Sequence, residues 1–148
     1  MKLLIKALSD KIGSSIPLPY YATDGAAAVD LHACLDEPLT IPPGGRVLVP
    51  TGLAVAIPEG YVGIMAVRSS MGVRQGITMP NAIGVIDSDY RGPLGVALYN
   101  TTAEPYDVLP GDRIAQLMVV PVARPTLELA EELPETARGQ GGFGSTGR

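Results

Sequence analysis

The densest run of side chains able to do chemistry is Asn81-Ala-Ile-Gly-Val-Ile-Asp87-Ser-Asp89-Tyr90-Arg91-Gly92, where carboxylates and an aromatic interrupt a hairpin-like apolar stretch. Asn81 offers both a donor and an acceptor, which suits an amide-like base edge such as that of uracil. Gly84, leading into Val85 and Ile86, marks a bend or a close backbone approach at which a planar ligand can reach main-chain donors and acceptors. Asp87 has the chemistry to orient and deprotonate a water, and Tyr90 has the flat face to pack against a sugar. By spacing alone, a plain hairpin whose aspartates only make turns accounts for the run equally well.

A second cluster, Arg68-Ser69-Ser70, follows the mostly apolar stretch 61–67 and precedes Met71-Gly72. At a strand end leading into a helical turn, it would aim a guanidinium, two hydroxyls and free amides at one spot, a local anion site. Taken alone, a helix cap beside a solvent-facing arginine is the simpler reading. The last segment, Arg138-Gly-Gln-Gly-Gly-Phe143-Gly144-Ser145-Thr146-Gly-Arg148, holds five glycines, the only phenylalanine and no aliphatic residue. Composition alone reads it as a disordered tail. Its content also fits a strip closing over a nucleotide, with amides and arginine on phosphate and the ring on a base.

Positioning such groups falls to short strands. Eighteen glycines and fourteen prolines punctuate brief apolar runs along almost the whole chain, as an antiparallel barrel or sandwich requires. Leu53, Val55 and Ile57 alternate with smaller residues, as do Leu94, Val96 and Leu98, and stretches 2–7 and 114–122 are rich in apolar strand formers. All are expected to bury at least one face. Pro42-Pro43-Gly44-Gly45, Pro58-Glu59-Gly60 and Pro110-Gly111-Asp112 are turn signals between strand candidates. A helical turn fits only near 69–73, and 127–137 stays open between strand, loop and short helix. There is no internal repeat.

Composition removes several chemistries. At 148 residues the chain suits one domain with one core, and a net charge of -4 argues against a polyanion binder or an anionic-membrane binder. One cysteine, Cys34, excludes an intramolecular disulfide framework and reads as a small buried hydrophobe. One histidine and one cysteine cannot assemble the zinc site of a nucleobase deaminase. His32 is the only imidazole, no serine sits in a nucleophile-elbow pattern, and a surface or strand histidine is expected. The start lacks the apolar length of a signal peptide, and no run approaches the roughly 20 residues of a membrane helix. A cytoplasmic protein without membrane or direct nucleic-acid contact is expected.

Five short segments in order carry a resemblance: Ala28-Val29-Asp30-Leu31, Arg68-Ser69-Ser70-Met71, the 81–92 stretch, Gly111-Asp112-Arg113-Ile114-Ala115-Gln116, and 138–147. Together they make the whole chain resemble the trimeric deoxyuridine triphosphatase (dUTPase) family. The resemblance implies an all-β jelly roll or distorted barrel over residues 1–137, with 138–148 as a glycine-rich arm. It also implies a homotrimer with shared active sites, hydrolysing dUTP to dUMP and pyrophosphate with Mg2+. It gives Asn81 and the main chain from Gly84 through Val85 and Ile86 to Asp87 to uracil, Tyr90 to the deoxyribose, and Asp87 to the attacking water as general base. Arg68, Ser69, Ser70 and Gln116 fall to the phosphates, and Arg138, Phe143, Gly144, Ser145 and Thr146 to the arm that closes the site. Asp30 would touch the magnesium shell through water, the triphosphate itself holding most of the metal.

Two positions depart from the family pattern, which commonly has proline before the arginine of the second motif and glycine after its serine, where this chain has Val67 and Ser70. The competing reading within the same fold is a dCTP deaminase. It relies on a glutamate beside the base, where this hairpin offers Asp87, Asp89 and Tyr90. A non-catalytic jelly-roll module that binds a nucleotide or a partner protein is the alternative from another class.

Overall fold

The structure, a computed structural model, describes residues 1–142. Ten strands form in chain order: β1 Leu4–Ala7, β2 Val29–His32, β3 Leu39–Ile41, β4 Arg46–Ala56, β5 Tyr61–Ala66, β6 Ile77–Thr78, β7 Gly84–Ile86, β8 Pro93–Asn100, β9 Tyr106–Val108 and β10 Arg113–Pro121. They make one four-stranded sheet in the order β1-β4-β8-β6, a second in the order β2-β10-β5-β7, and a two-stranded β3-β9 piece. Every pairing between these strands is antiparallel. This is the expected all-β jelly roll, and the three proline-glycine turn signals stand between β3 and β4, β4 and β5, and β9 and β10.

Alternation decides which face each strand buries. In β8, Leu94, Val96, Leu98 and Asn100 are buried and the residues between them are not. Leu31 and Ile114 from one sheet meet Val49, Val96 and Leu98 from the other in a single core, each at most 1% exposed. Asn100 enters that core with its amide satisfied: Nδ2 donates to the carbonyls of Ile41 and Glu104, and Oδ1 accepts from Thr102.

Four expectations need correction or refinement. All four residues of β1 are exposed, and within 2–7 only Leu3 packs partly against the core, so β1 itself buries no face within this chain. Cys34 is half-buried rather than buried. Its Sγ packs over Gly52, where an added Cβ would come within 2.7 Å of it. The helical turn is a single π-type turn, Ser70–Arg74. The 127–137 stretch takes no regular structure, the last strand ends at Pro121, and residues 121–140 are exposed throughout. No helix of the described residues is long and apolar enough to cross a membrane.

Candidate active site

Register builds the phosphate side. Across three neighbouring strands Asp30 of β2 stands opposite Gln116 of β10, and Gln116 opposite Ala66 of β5. Directly paired residues share a face of the sheet, so the carboxylate and the amide project together beside the end of β5. Arg68 lies two residues beyond that end and does not run into solvent: its Nε is 3.2 Å from Asp30 Oδ1. Arg113 NH1 lies 3.3 Å from the other oxygen, Oδ2. Asp30, only 9% exposed, is therefore held between two guanidiniums. Ser69 makes no side-chain cap to the turn that follows. Neither half of the simpler cap-and-solvent-arginine reading describes this segment.

A cleft of about 350 Å³ opens here, lined by Arg68, Ser70, Gln75, Tyr106 and Arg113 among others. Tyr106 donates its hydroxyl to Gln75 Oε1, and burial, with a smaller push from the Asp112 charge, holds its pKa above the usual phenol value. His32 is a buried strand residue whose pKa is lowered, chiefly by desolvation. Asp30 pulls that pKa back up, while Arg113 and Arg68 push it further down. Its place as a buried residue of β2 bears out the strand reading of His32.

The base side lies elsewhere. The 81–92 run is not a hairpin: β7 is the outer strand of its sheet and pairs with β5, Gly63 opposite Ile86 and Met65 opposite Gly84, while β8, the next strand, belongs to the other sheet, so 87–92 is the loop that crosses between them. Gly84 does mark a close approach, but to Met65: a Cβ there would lie 2.9 Å from Met65 Cε. Before it, Ala82 takes a left-handed φ of 62°, in the turn where the Ala82 amide donates to the Met79 carbonyl. Asn81 is exposed on this turn. Tyr90 is fixed from both sides, its hydroxyl donating to the Pro93 carbonyl at 3.0 Å and its ring lying over Gly92, where any Cβ would collide with it. Arg91 NH1 donates to the carbonyls of Ser88 and Tyr90 and braces the loop.

Asp87 is exposed and lines a second cleft, of about 770 Å³, together with Glu59, Tyr61, Val62, Asp89 and Arg124. The two clefts share no lining residue. Of the sequence-derived site residues, the structure thus joins Asp30, Arg68, Ser70 and Gln116 at one place and Gly84 to Asp87 at another. Arg138 is exposed and donates from Nε to the Gly141 carbonyl of its own segment, while Phe143, Gly144, Ser145 and Thr146 lie outside the described residues. Among the described residues no group of three or more His, Cys, Asp or Glu side chains forms a metal cage. Arg113, Glu59 and Tyr106 were not singled out by the sequence reading. Arg113 sits inside the fourth motif and carried a signal; the other two are lone polar residues in strand and turn contexts, without one.

A family model described as dUTPase matches residues 14–147. The deoxyuridine 5'-triphosphate nucleotidohydrolase of Idiomarina loihiensis is 49% identical over 145 residues, 97% of this chain and 96% of that protein. That of Anaeromyxobacter sp. is 56% identical over 136 residues, 92% of this chain and 91% of that protein. Among solved structures, a mutant Staphylococcus bacteriophage 80alpha dUTPase with dUpNHpp matches at a TM-score of 0.89 and 27% identity over 99% of both chains. A mutant dUTPase of phage phi11 of S. aureus, solved with a structural Mg(II) ion, matches at a TM-score of 0.78 and 26% identity over 89% of this chain and 98% of that one. A jelly roll carrying five ordered motifs, matched over nearly its full length, places this chain in the dUTPase family.

Proposed function

We propose that the protein hydrolyses dUTP to dUMP and pyrophosphate by in-line attack of water on the α-phosphorus, keeping uracil out of DNA and supplying dUMP for thymidylate synthesis. The observation that carries this is the near full-length likeness to deoxyuridine 5'-triphosphate nucleotidohydrolases, together with the loop after β7 that presents an exposed Asp87 beside a braced Tyr90. The water oxygen bonds to phosphorus, its proton passes to the Asp87 carboxylate, and the bond to the bridging oxygen breaks to release pyrophosphate. Asn81 and the main chain of Gly84, Val85 and Ile86 read the uracil edge, and Tyr90 packs against the deoxyribose. Arg68, Ser69, Ser70 and Gln116 hold the phosphates.

A single carboxylate, Asp30, fits a magnesium ion carried in mainly by the triphosphate. An ionised carboxylate has about four lone-pair sites, and the two Asp30 contacts with Arg68 and Arg113 leave room to accept from metal-bound water. When bound, Mg2+ supplies neutralisation of leaving-group charge.

Asp87 and Arg68 must serve one dUTP, yet one chain holds them apart. Continuing the β5-β7 register sets Asp87 beside Val62. From there to the end of β5 at Ala66 is four residues, roughly 13 Å at strand spacing, and Arg68 lies two residues further on. A second copy that brings its phosphate cluster to this loop completes the site; the separation supports sites shared between copies, and the family resemblance makes the assembly a homotrimer. The arm, 138–148, then closes over a neighbouring site, the body being 1–137. A lone cysteine suits work in the reducing cytoplasm. The test is pyrophosphate release measured across dUTP, dTTP, dCTP and UTP: dUTP should be much the best, and orthophosphate as first product, or equal rates with UTP, would overturn the reading.

A further inference from the structure

We propose that Arg113 is a positioning residue for phosphate binding: it holds Asp30 so that Asp30 in turn aims Arg68. The inference rests on the proposed phosphate role of Arg68 and adds a residue to it. Its first support is a bulge in β10. Gln116 stands opposite Asp30 and Ala115 opposite Leu31, yet Arg113 stands opposite His32, so the register slips by one residue between Arg113 and Ala115.

Without that slip, simple alternation would put Arg113 on the face of Ala115 and Leu117, which are 0% and 2% exposed in the core. With it, Ile114 and Ala115 both enter the core and Arg113 turns to the face of His32, Asp30 and Gln116. Bulges re-aim side chains in this way. A charged residue is thereby kept out of the core and set 3.3 Å from Asp30 Oδ2.

The second support is how the contacts divide. Arg113 takes Oδ2 and Arg68 takes Oδ1, so the buried carboxylate has one guanidinium on each oxygen. A carboxylate anchored on one oxygen cannot swing about its χ2 torsion, which is otherwise broad. Its other oxygen then pairs by charge with Arg68 at Nε, 3.2 Å away, and the terminal nitrogens of Arg68 are left for the cleft that it lines.

The experiment is a double-mutant cycle on the full chain, Arg113→Gln and Asp30→Asn singly and together, read as affinity for dUpNHpp in EDTA so that magnesium plays no part. Each single change should weaken binding by about tenfold, the scale of a lost charge pair at a binding site. In the Asp30→Asn background, Arg113→Gln should then cost less than about twofold more. Deoxyuridine, which has no phosphate, should bind all variants as it binds the unmodified chain. Additive losses would mean that Arg113 meets phosphate by itself, and equal loss of deoxyuridine would mean a general structural role. Either result overturns the proposal.

Should Arg113→Gln fail to fold, Arg113→Lys serves in the same cycle, since a point charge cannot reproduce the guanidinium geometry. Hydrolysis of dUTP by the unmodified chain tests the functional reading separately. Inorganic tripolyphosphate gives the same cycle without the nucleoside, so the coupling is measurable even if that reading fails.

Discussion

Asp87 and Arg68 stand toward opposite ends of β5 and line separate clefts, one with Val62 and Glu59, the other with Ser70 and Arg113. If one chain's Asp87 loop works with another chain's phosphate cluster, two dead variants can complement each other. Asp87→Asn and Arg68→Ala should each be nearly inactive as pure proteins, and should regain measurable dUTP hydrolysis when unfolded together and refolded as a mixture. A mixture as inactive as its components would place both residues in a single-chain site.

Asp87→Asn should keep dUpNHpp binding and lose turnover by about 100- to 10,000-fold, because an amide keeps the shape but cannot take the proton from water. Steady-state kinetics paired with a binding titration checks it. Near-normal turnover would move the base elsewhere, with Asp89 next in the same loop.

Deleting 138–148 should leave a folded protein that has lost nearly all dUTP hydrolysis. Residues 138–140 are exposed, so the core loses little with them. Ordering a glycine-rich strip costs roughly 1–2 kcal/mol per residue, so closure needs the full triphosphate to supply compensating contacts. Phe143→Ala should show a milder loss, stacking on one base being worth about 1–3 kcal/mol. Circular dichroism with turnover checks both, and full activity in the truncated chain would reduce the segment to a linker.

Asn100→Ala should destabilise the fold by about 2–4 kcal/mol without touching the site. It removes all four hydrogen bonds of a side chain that is 0% exposed and strands the buried Ile41 carbonyl. Urea unfolding at fixed protein concentration measures it.

Stability should fall as pH drops below about 6.5, in part through His32. Its folded pKa is depressed, chiefly by burial, so between that value and the ordinary one the unfolded chain binds more protons than the folded. The contribution is present above the ordinary pKa and is lost as pH falls through the folded one. His32→Gln should flatten the slope of unfolding free energy between pH 7.5 and 5.5, and an unchanged slope would assign the acid sensitivity to other groups.

Much of the architecture was written locally. Two-residue alternation in β8 and paired prolines and glycines at the turns report strand and turn wherever they occur, and the all-β class follows from them. Motif order likewise carries the family resemblance without any tertiary contact. What stayed illegible were features that depend on what lies across a sheet. The exposure of β1 on both faces and the packing of Met65 against Gly84 are such features.

The sequence by itself determined which groups are available: one run with Asp87 and Tyr90, one arginine-serine cluster, a glycine-rich end, and too few histidines and cysteines for the zinc site of a deaminase. Only the tertiary structure decided how those groups are shared out. Strand alternation alone would have sent Arg113 into the core; the bulge in β10, visible only against β2, turns it onto Asp30. The separation of Asp87 from Arg68 likewise comes from antiparallel pairing, which sets residues far apart in sequence side by side and holds others at opposite ends of one strand.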